Sequence, residues 1–221
     1  MTFLSLLLTI PFAAQALAQN TNLTFSFSPS TLNTCATNGS TEAVTFTTSS
    51  VPATYQCFNL EDLFSSSTSS SYGSRTTQSP QSSVPYEEIA WRLFNTDAYS
   101  NQLNYSRVWY QQQNVTSPNQ GEDATRLLEV FSGRNCQQTN ASAETVHPIL
   151  GWTCQSSGNG DCYEAPYNIM SFQVGSAAAV NSQYKKCWTA STGMGPERPG
   201  SGKAAAAVGA VAILFAGILS W

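Results

Sequence analysis

Leu23-Thr24-Phe25-Ser26-Phe27-Ser28 alternates large apolar side chains with small hydroxyl ones. Successive side chains of a strand point to opposite faces, so this pattern predicts a strand with Leu23, Phe25 and Phe27 turned to a core. The same period returns in Val44-Thr45-Phe46-Thr47. Further strands are expected over 54–60, 106–111, 126–132, 149–154 and 167–174, between Gly/Asn/Ser/Pro stretches such as Ser156-Ser157-Gly158-Asn159-Gly160-Asp161. Thr, Val, Phe, Tyr and Trp suit a pleated surface. Residues 87–94 can be read as helix or strand, and 177–180 as a short helical turn. The expected fold is mainly β, a single antiparallel β-sandwich or Greek-key domain.

Composition narrows the setting. The chain has 221 residues, net charge −4, only 10% charged residues, and 30 Ser with 23 Thr. Nine Lys and Arg against thirteen Asp and Glu give no surplus for neutralising phosphates, which excludes a nucleic-acid partner. A cytosolic domain carries about 25% charged residues. A hydrophobic content of 41% is too high for a wholly disordered chain.

Both ends read as processing signals. Residues 1–18 combine the apolar run from Phe3 to Phe12 with the small-x-small site Ala16-Leu17-Ala18, the pattern of a secretory signal peptide. Pro11 interrupts a run already too short to span the roughly 30 Å of a bilayer core. Residues 204–221 are uncharged and run to the last residue. A hydrophobic tail behind a polar spacer and a small-residue triplet is the signal for a glycosylphosphatidylinositol (GPI) anchor. Residues 191–203 form the linker and attachment region, with Gly200 the expected attachment residue and Ser191 the alternative. The tail would then be removed, and the membrane partner would be reached through the lipid.

The secreted domain is expected over 19–190. It holds Cys35, Cys57, Cys136, Cys154, Cys162 and Cys187, an even set that predicts three disulfides. Proximity favours Cys35–Cys57, with the other four stapling the C-terminal half. Asn-x-Ser/Thr sequons at Asn22, Asn38, Asn104, Asn114 and Asn140 predict N-glycosylation on solvent-facing sites. The Ser/Thr-rich tract 65–85 offers little to bury, so it is expected as a long exposed loop suited to O-glycosylation.

Chemistry-bearing patterns are sparse. His147 is the only His, followed by Pro148, and no G-x-S-x-G elbow occurs, which leaves no Ser-His hydrolase pattern. Metal-ligand spacing is absent, no cofactor motif occurs, and Asn159-Gly160-Asp161 reads as a hairpin turn rather than a calcium loop. Glycoside hydrolysis needs two converging carboxylates. Glu61-Asp62, Glu87-Glu88, Glu122-Asp123, Glu129, Glu144, Asp161 and Glu164 are the acids available, and adjacent acids on a strand face apart. Glu129, between Leu128 and Val130, is expected on a solvent face. Among Trp91, Trp109, Tyr110, Trp152 and Trp188, the adjacent pair Trp109-Tyr110 must face opposite ways, which makes Trp109 the candidate sugar contact.

Ala16-Leu17-Ala18, tract 65–85, the five sequons, the six Cys and the tail 204–221 together resemble fungal GPI-anchored cell-surface and cell-wall glycoproteins. That resemblance implies the outer face of the plasma membrane or the cell wall, with wall polysaccharide as a further partner. The expected role is structural or recognition, without catalysis; a carbohydrate-binding module and a cell-wall glycan hydrolase or transferase are the alternatives. A fainter similarity, to the βγ-crystallin Greek key, lies in Phe131-Ser132-Gly133-Arg134-Asn135-Cys136 and the later Ser171. Cys136 and Gln138 depart from its Phe and Gly.

Overall fold

The computed structural model describes residues 22–37, 40–65, 71–78, 85–139 and 145–192. The signal peptide, Gly200, the tail, Asn38 and Asn140 lie outside them. The strands are β1 (Leu23–Pro29), β2 (Val44–Thr48), β3 (Gln56–Asn59), β4 (Tyr72–Gln78), β5 (Pro85–Phe94), β6 (Tyr105–Gln111), β7 (Asp123–Phe131), β8 (Leu150–Cys154), β9 (Asp161–Glu164), β10 (Ser171–Ser176) and β11 (Ser191–Thr192). Short helices α1 (Leu60–Phe64) and α2 (Ala178–Tyr184) follow β3 and β10. One antiparallel sheet has the order β4-β5-β2-β1-β6-β9 and the other β11-β8-β7-β10-β3.

The two sheets pack face to face, as the alternation in β1 requires. Phe25, Phe27 and Phe46 of the six-stranded sheet meet Phe58 and Phe172 of the five-stranded sheet, with Phe25–Phe172 centroids 4.9 Å apart and Phe46–Phe58 5.3 Å. All five rings are buried, and burial of such side chains stabilises by roughly 1.5–3 kcal/mol each. The polar face of β1 is closed by hydroxyl pairs across to β2. Thr24 bonds Thr47 at 2.7 Å and Ser26 bonds Thr45 at 2.6 Å, so buried oxygens find partners.

Polar ties also join the sheets. Gln112, directly after β6, donates to the Arg126 carbonyl (2.9 Å) and accepts the Arg126 N–H (3.0 Å), acting as a one-residue strand partner to β7. At the other side, Arg75 of β4 lies 4.1 Å over the Phe58 ring and donates to the Cys57 carbonyl at 2.7 Å.

The structure corrects two sequence expectations and decides one open reading. The disulfides are Cys35–Cys162, Cys57–Cys136 and Cys154–Cys187, not Cys35–Cys57. Cys35 precedes β2 in the six-stranded sheet, whereas Cys57 lies on β3 in the other, so neighbours in sequence are separated by the core. Each disulfide stays on one sheet. Residues 87–94 are strand, not helix: Ile89 and Leu93 are buried on one face and Trp91 packs against the core from that same face. The tract 65–85 is not all loop, because Tyr72–Gln78 pairs with β5. It buries little of its own, and β5 supplies its ladder. The helical turn expected at 177–180 is present as the start of α2.

Candidate functional site

Among the described residues most of the acids are engaged with other groups. Glu61 and Asp62 converge on Arg134, whose Nη2 lies 2.6 Å from Asp62, and tie α1 to the turn after β7. The Asn59 amide, followed by Arg134, holds Asp62 below the usual carboxylate range. Arg107 pairs Glu164 at 3.2 Å, and Glu88 accepts bonds from Thr54. Asp161 accepts the Ser157 N–H within the turn at 157–160. His147 packs 5.2 Å from the Tyr167 ring. Among the described residues no cluster of three or more His, Cys, Asp and Glu could hold a metal. No helix there is long and apolar enough to cross a membrane.

Trp109 does not offer its ring to a sugar. It lies on the outer face of the six-stranded sheet, as its alternation with Tyr110 demands, but is only 5% exposed. The turn at 157–160 lies against the indole. Trp109 Nε1 donates to the Asn159 carbonyl at 3.1 Å, and Gly160, at φ +77°, leaves the space that a side chain would take from the ring. Cys162 sits directly opposite Trp109 in the β6–β9 register, and its bond to Cys35 fixes that edge. Trp152 and Tyr110 are core residues, stacked 5.9 Å apart.

The outer face of the five-stranded sheet is different. Gln173, Glu129 and Gly151 lie side by side across β10, β7 and β8. Glu129 is half-buried there and accepts a bond from Gln173 Nε2. Burial pushes the Glu129 carboxyl above its ordinary range, and the Gln173 bond acts the other way. Glu129 thus lies on the outer face, as its alternation with Leu128 and Val130 predicts, but it is half-buried there. Two rings close in on it. Tyr55 lies over Gly175, where any Cβ would strike the ring, yet remains 50% exposed. Burial, followed by the Glu129 charge, raises the Tyr55 phenol. Trp188 lies over Gly151, where a Cβ would fall 3.3 Å from Cε3. Trp188 is half-buried, its buried Nε1 has no bond partner among the described residues, and exposed Tyr184 packs 5.2 Å away.

The backbone holds Trp188 in place. Its carbonyl accepts the Thr153 and Cys154 N–H groups, its own N–H donates to Thr153 Oγ1 at 2.8 Å, and the preceding Cys187 is bonded to Cys154. The result is a glycine-floored strip with an aromatic ring on either side and a carboxylate–amide pair between them. Aromatic faces can take the C–H faces of a sugar while the carboxylate and amide take its hydroxyls. Sequence reasoning named Glu129 and Trp188 singly but did not bring them together with Tyr55, Gln173 and the two glycines.

Three sequons fall in described segments. Asn104 is exposed, while Asn22 and Asn114 are half-buried. Ser171 Oγ donates to the Gly133 carbonyl (2.6 Å) and accepts the Cys136 N–H (2.9 Å), so the two stretches of the faint Greek-key similarity meet. In comparisons with known proteins, the chain matches no protein-family model, no curated protein and no solved structure.

Proposed function

We propose that this protein is a glycosylated recognition domain of the cell envelope, binding wall polysaccharide through the outer face of its five-stranded sheet. The observation that carries the reading is the strip of Tyr55, Glu129, Gln173 and Trp188, with the two rings seated on Gly175 and Gly151. Planar rings on a rigid sheet lose little freedom on contact, and the half-buried carboxylate is a strong acceptor. No carboxylate stands opposite Glu129 on either adjacent strand, where Gln173 and Gly151 sit, so the same face gives no support to a two-carboxylate hydrolase.

Three disulfides without a free Cys among the described residues suit an oxidising, extracellular setting. GPI attachment at Gly200 fits the fold better than attachment at Ser191. The Ser191 backbone pairs with Gly151 in β11, so cleavage there would end the chain inside the sheet.

The test is co-sedimentation of the secreted domain with insoluble β-glucan and chitin. Wild-type retention, weakened at least tenfold by Trp188→Ala and by Tyr55→Ala, supports the site. Wild-type protein that stays in solution with both overturns it. The anchor is tested separately, by release from intact cells with phosphatidylinositol phospholipase C. Retention together with an intact C-terminus by mass spectrometry overturns that part.

A further inference from the structure

A second recess lies on the other flank of α2. It is an open cleft of about 760 Å³ between α2 and the start of β7, with Asn114, Asp123, Ala124, Asn181 and Lys185 in its wall. That volume lies within the range of ligand pockets. Two features of the wall point to what fills it.

The first is Asn114, which begins the sequon Asn114-Val115-Thr116. Its side chain is held on the wall. Nδ2 donates to the Asp123 carbonyl at 2.9 Å, and the backbone N–H donates to Gln155 Oε1 at 2.8 Å. One amide hydrogen is thus engaged and the other is available for replacement. The second is Asn181, only 7% exposed, whose Oδ1 has no hydrogen-bond partner among the described residues. Its Nδ2 reaches no better than 3.5 Å, to the Thr153 carbonyl. A buried amide oxygen left unpaired costs about 1–3 kcal/mol, so a donor brought into the cleft is rewarded.

We propose that the cleft is the seat of the protein's own N-linked glycan on Asn114. Transfer from a lipid-linked oligosaccharide diphosphate breaks the sugar C1–phosphate bond and forms Nδ2–C1; the lipid diphosphate leaves and the displaced amide proton is released. The remaining Nδ2–H keeps its bond to the Asp123 carbonyl. The first N-acetylglucosamine then lies along the wall, its acetamido methyl against Ala124 and its N–H or a hydroxyl within reach of Asn181 Oδ1. The glycan buttresses α2, whose Tyr184 packs against Trp188. Asn104, exposed directly before β6, provides an internal comparison.

The inference rests on the secreted, glycosylated part of the proposed function and is independent of polysaccharide binding. The test is native digestion of the full secreted chain with peptide N-glycosidase, followed site by site by mass spectrometry. The glycan at Asn114 is expected to leave at least tenfold more slowly than that at Asn104, and at an equal rate after denaturation. Thr116→Ala removes the glycan but spares the Asn114 amide, and is expected to lower Tm by about 2–4 °C. Asn181→Ala is expected to erase the protection. Equal native release, or an unmodified Asn114 beside an occupied Asn104, overturns the seat alone. Absence of N-glycan at every sequon overturns both the seat and the glycosylated reading.

Discussion

Two indoles sit on the outer faces of the two sheets, each against a glycine, and they are put to opposite use. At Trp109 the glycine belongs to the turn at 157–160, which lies over the ring. Its Nε1 is bonded and Cys35–Cys162 closes the edge beside it. At Trp188 the glycine is in the sheet and the ring is the cover, half-buried but more open than Trp109, with a buried Nε1 that has no bond partner among the described residues. The same residue type is therefore a structural wedge in one place and an available surface in the other. What separates them is which partner, ring or backbone, lies outermost.

Breaking the Trp109 side should have the largest effect. Trp109→Ala leaves a cavity under the turn and should cost about 3–5 kcal/mol in urea unfolding, without altering glucan retention by the fraction still folded. Next, removing Cys35–Cys162 by paired Ala substitution should cost about 2–5 kcal/mol. The loops closed by the three disulfides span 127, 79 and 33 residues, so the losses should rank Cys35–Cys162, Cys57–Cys136, Cys154–Cys187. A reversed ranking in guanidinium melts of the three deletions would show that the Trp109 edge is not the more tightly locked.

On the Trp188 side the expected changes are in binding more than in folding. Trp188→Ala should weaken polysaccharide retention at least tenfold while costing about 1–2 kcal/mol of stability, less than Trp109→Ala because the ring keeps solvent on one side. Equal stability losses at the two tryptophans would erase the contrast.

The smallest effect is a pH slope from Glu129. Its folded carboxyl is raised by burial, so the folded state holds the proton more tightly than the unfolded one. Its contribution to stability is greatest below the unfolded value of about 4.3, declines as pH rises from there through the folded value, and is flat above. Glu129→Gln should remove that decline and leave the domain more stable at pH 7, read by urea midpoints between pH 4 and 8. An unchanged slope in the variant assigns it to another group.

The core was legible because its signal is local. Leu23, Phe25 and Phe27 repeat at period two, and the structure buries all three. Residues 87–94 were ambiguous because Ile89, Trp91 and Leu93 are flanked by Glu88, Ala90 and Arg92, which a helix also accepts; pairing with both β2 and β4 decides for a strand. β4 was invisible because a Ser/Thr-rich edge strand takes its stability from its neighbour. Disulfide pairing was misread because distance along the chain says nothing about which sheet a Cys joins. The strip failed to emerge for the same reason. Tyr55, Glu129, Gly151, Gln173 and Trp188 come from five separate segments, and only the register across β10, β7 and β8 aligns them.

The pairing of β11 has a mechanical consequence. Among the described residues Ser191 and Thr192 pair with Gly151 and Leu150, so a pull on the chain beyond Thr192 loads these rungs one after the other. The next obstacles are the Trp188 backbone bonds to Thr153 and Cys154, and behind them the covalent one at Cys187–Cys154, which passes the load into the middle of the sheet. Trp188 lies between the rungs and the disulfide. Tension would lift this ring from Gly151 before disturbing the core, making grip on a ligand the first property surrendered under load. Single-molecule extension from the C-terminal side should show that step as a small early lengthening, well ahead of domain rupture.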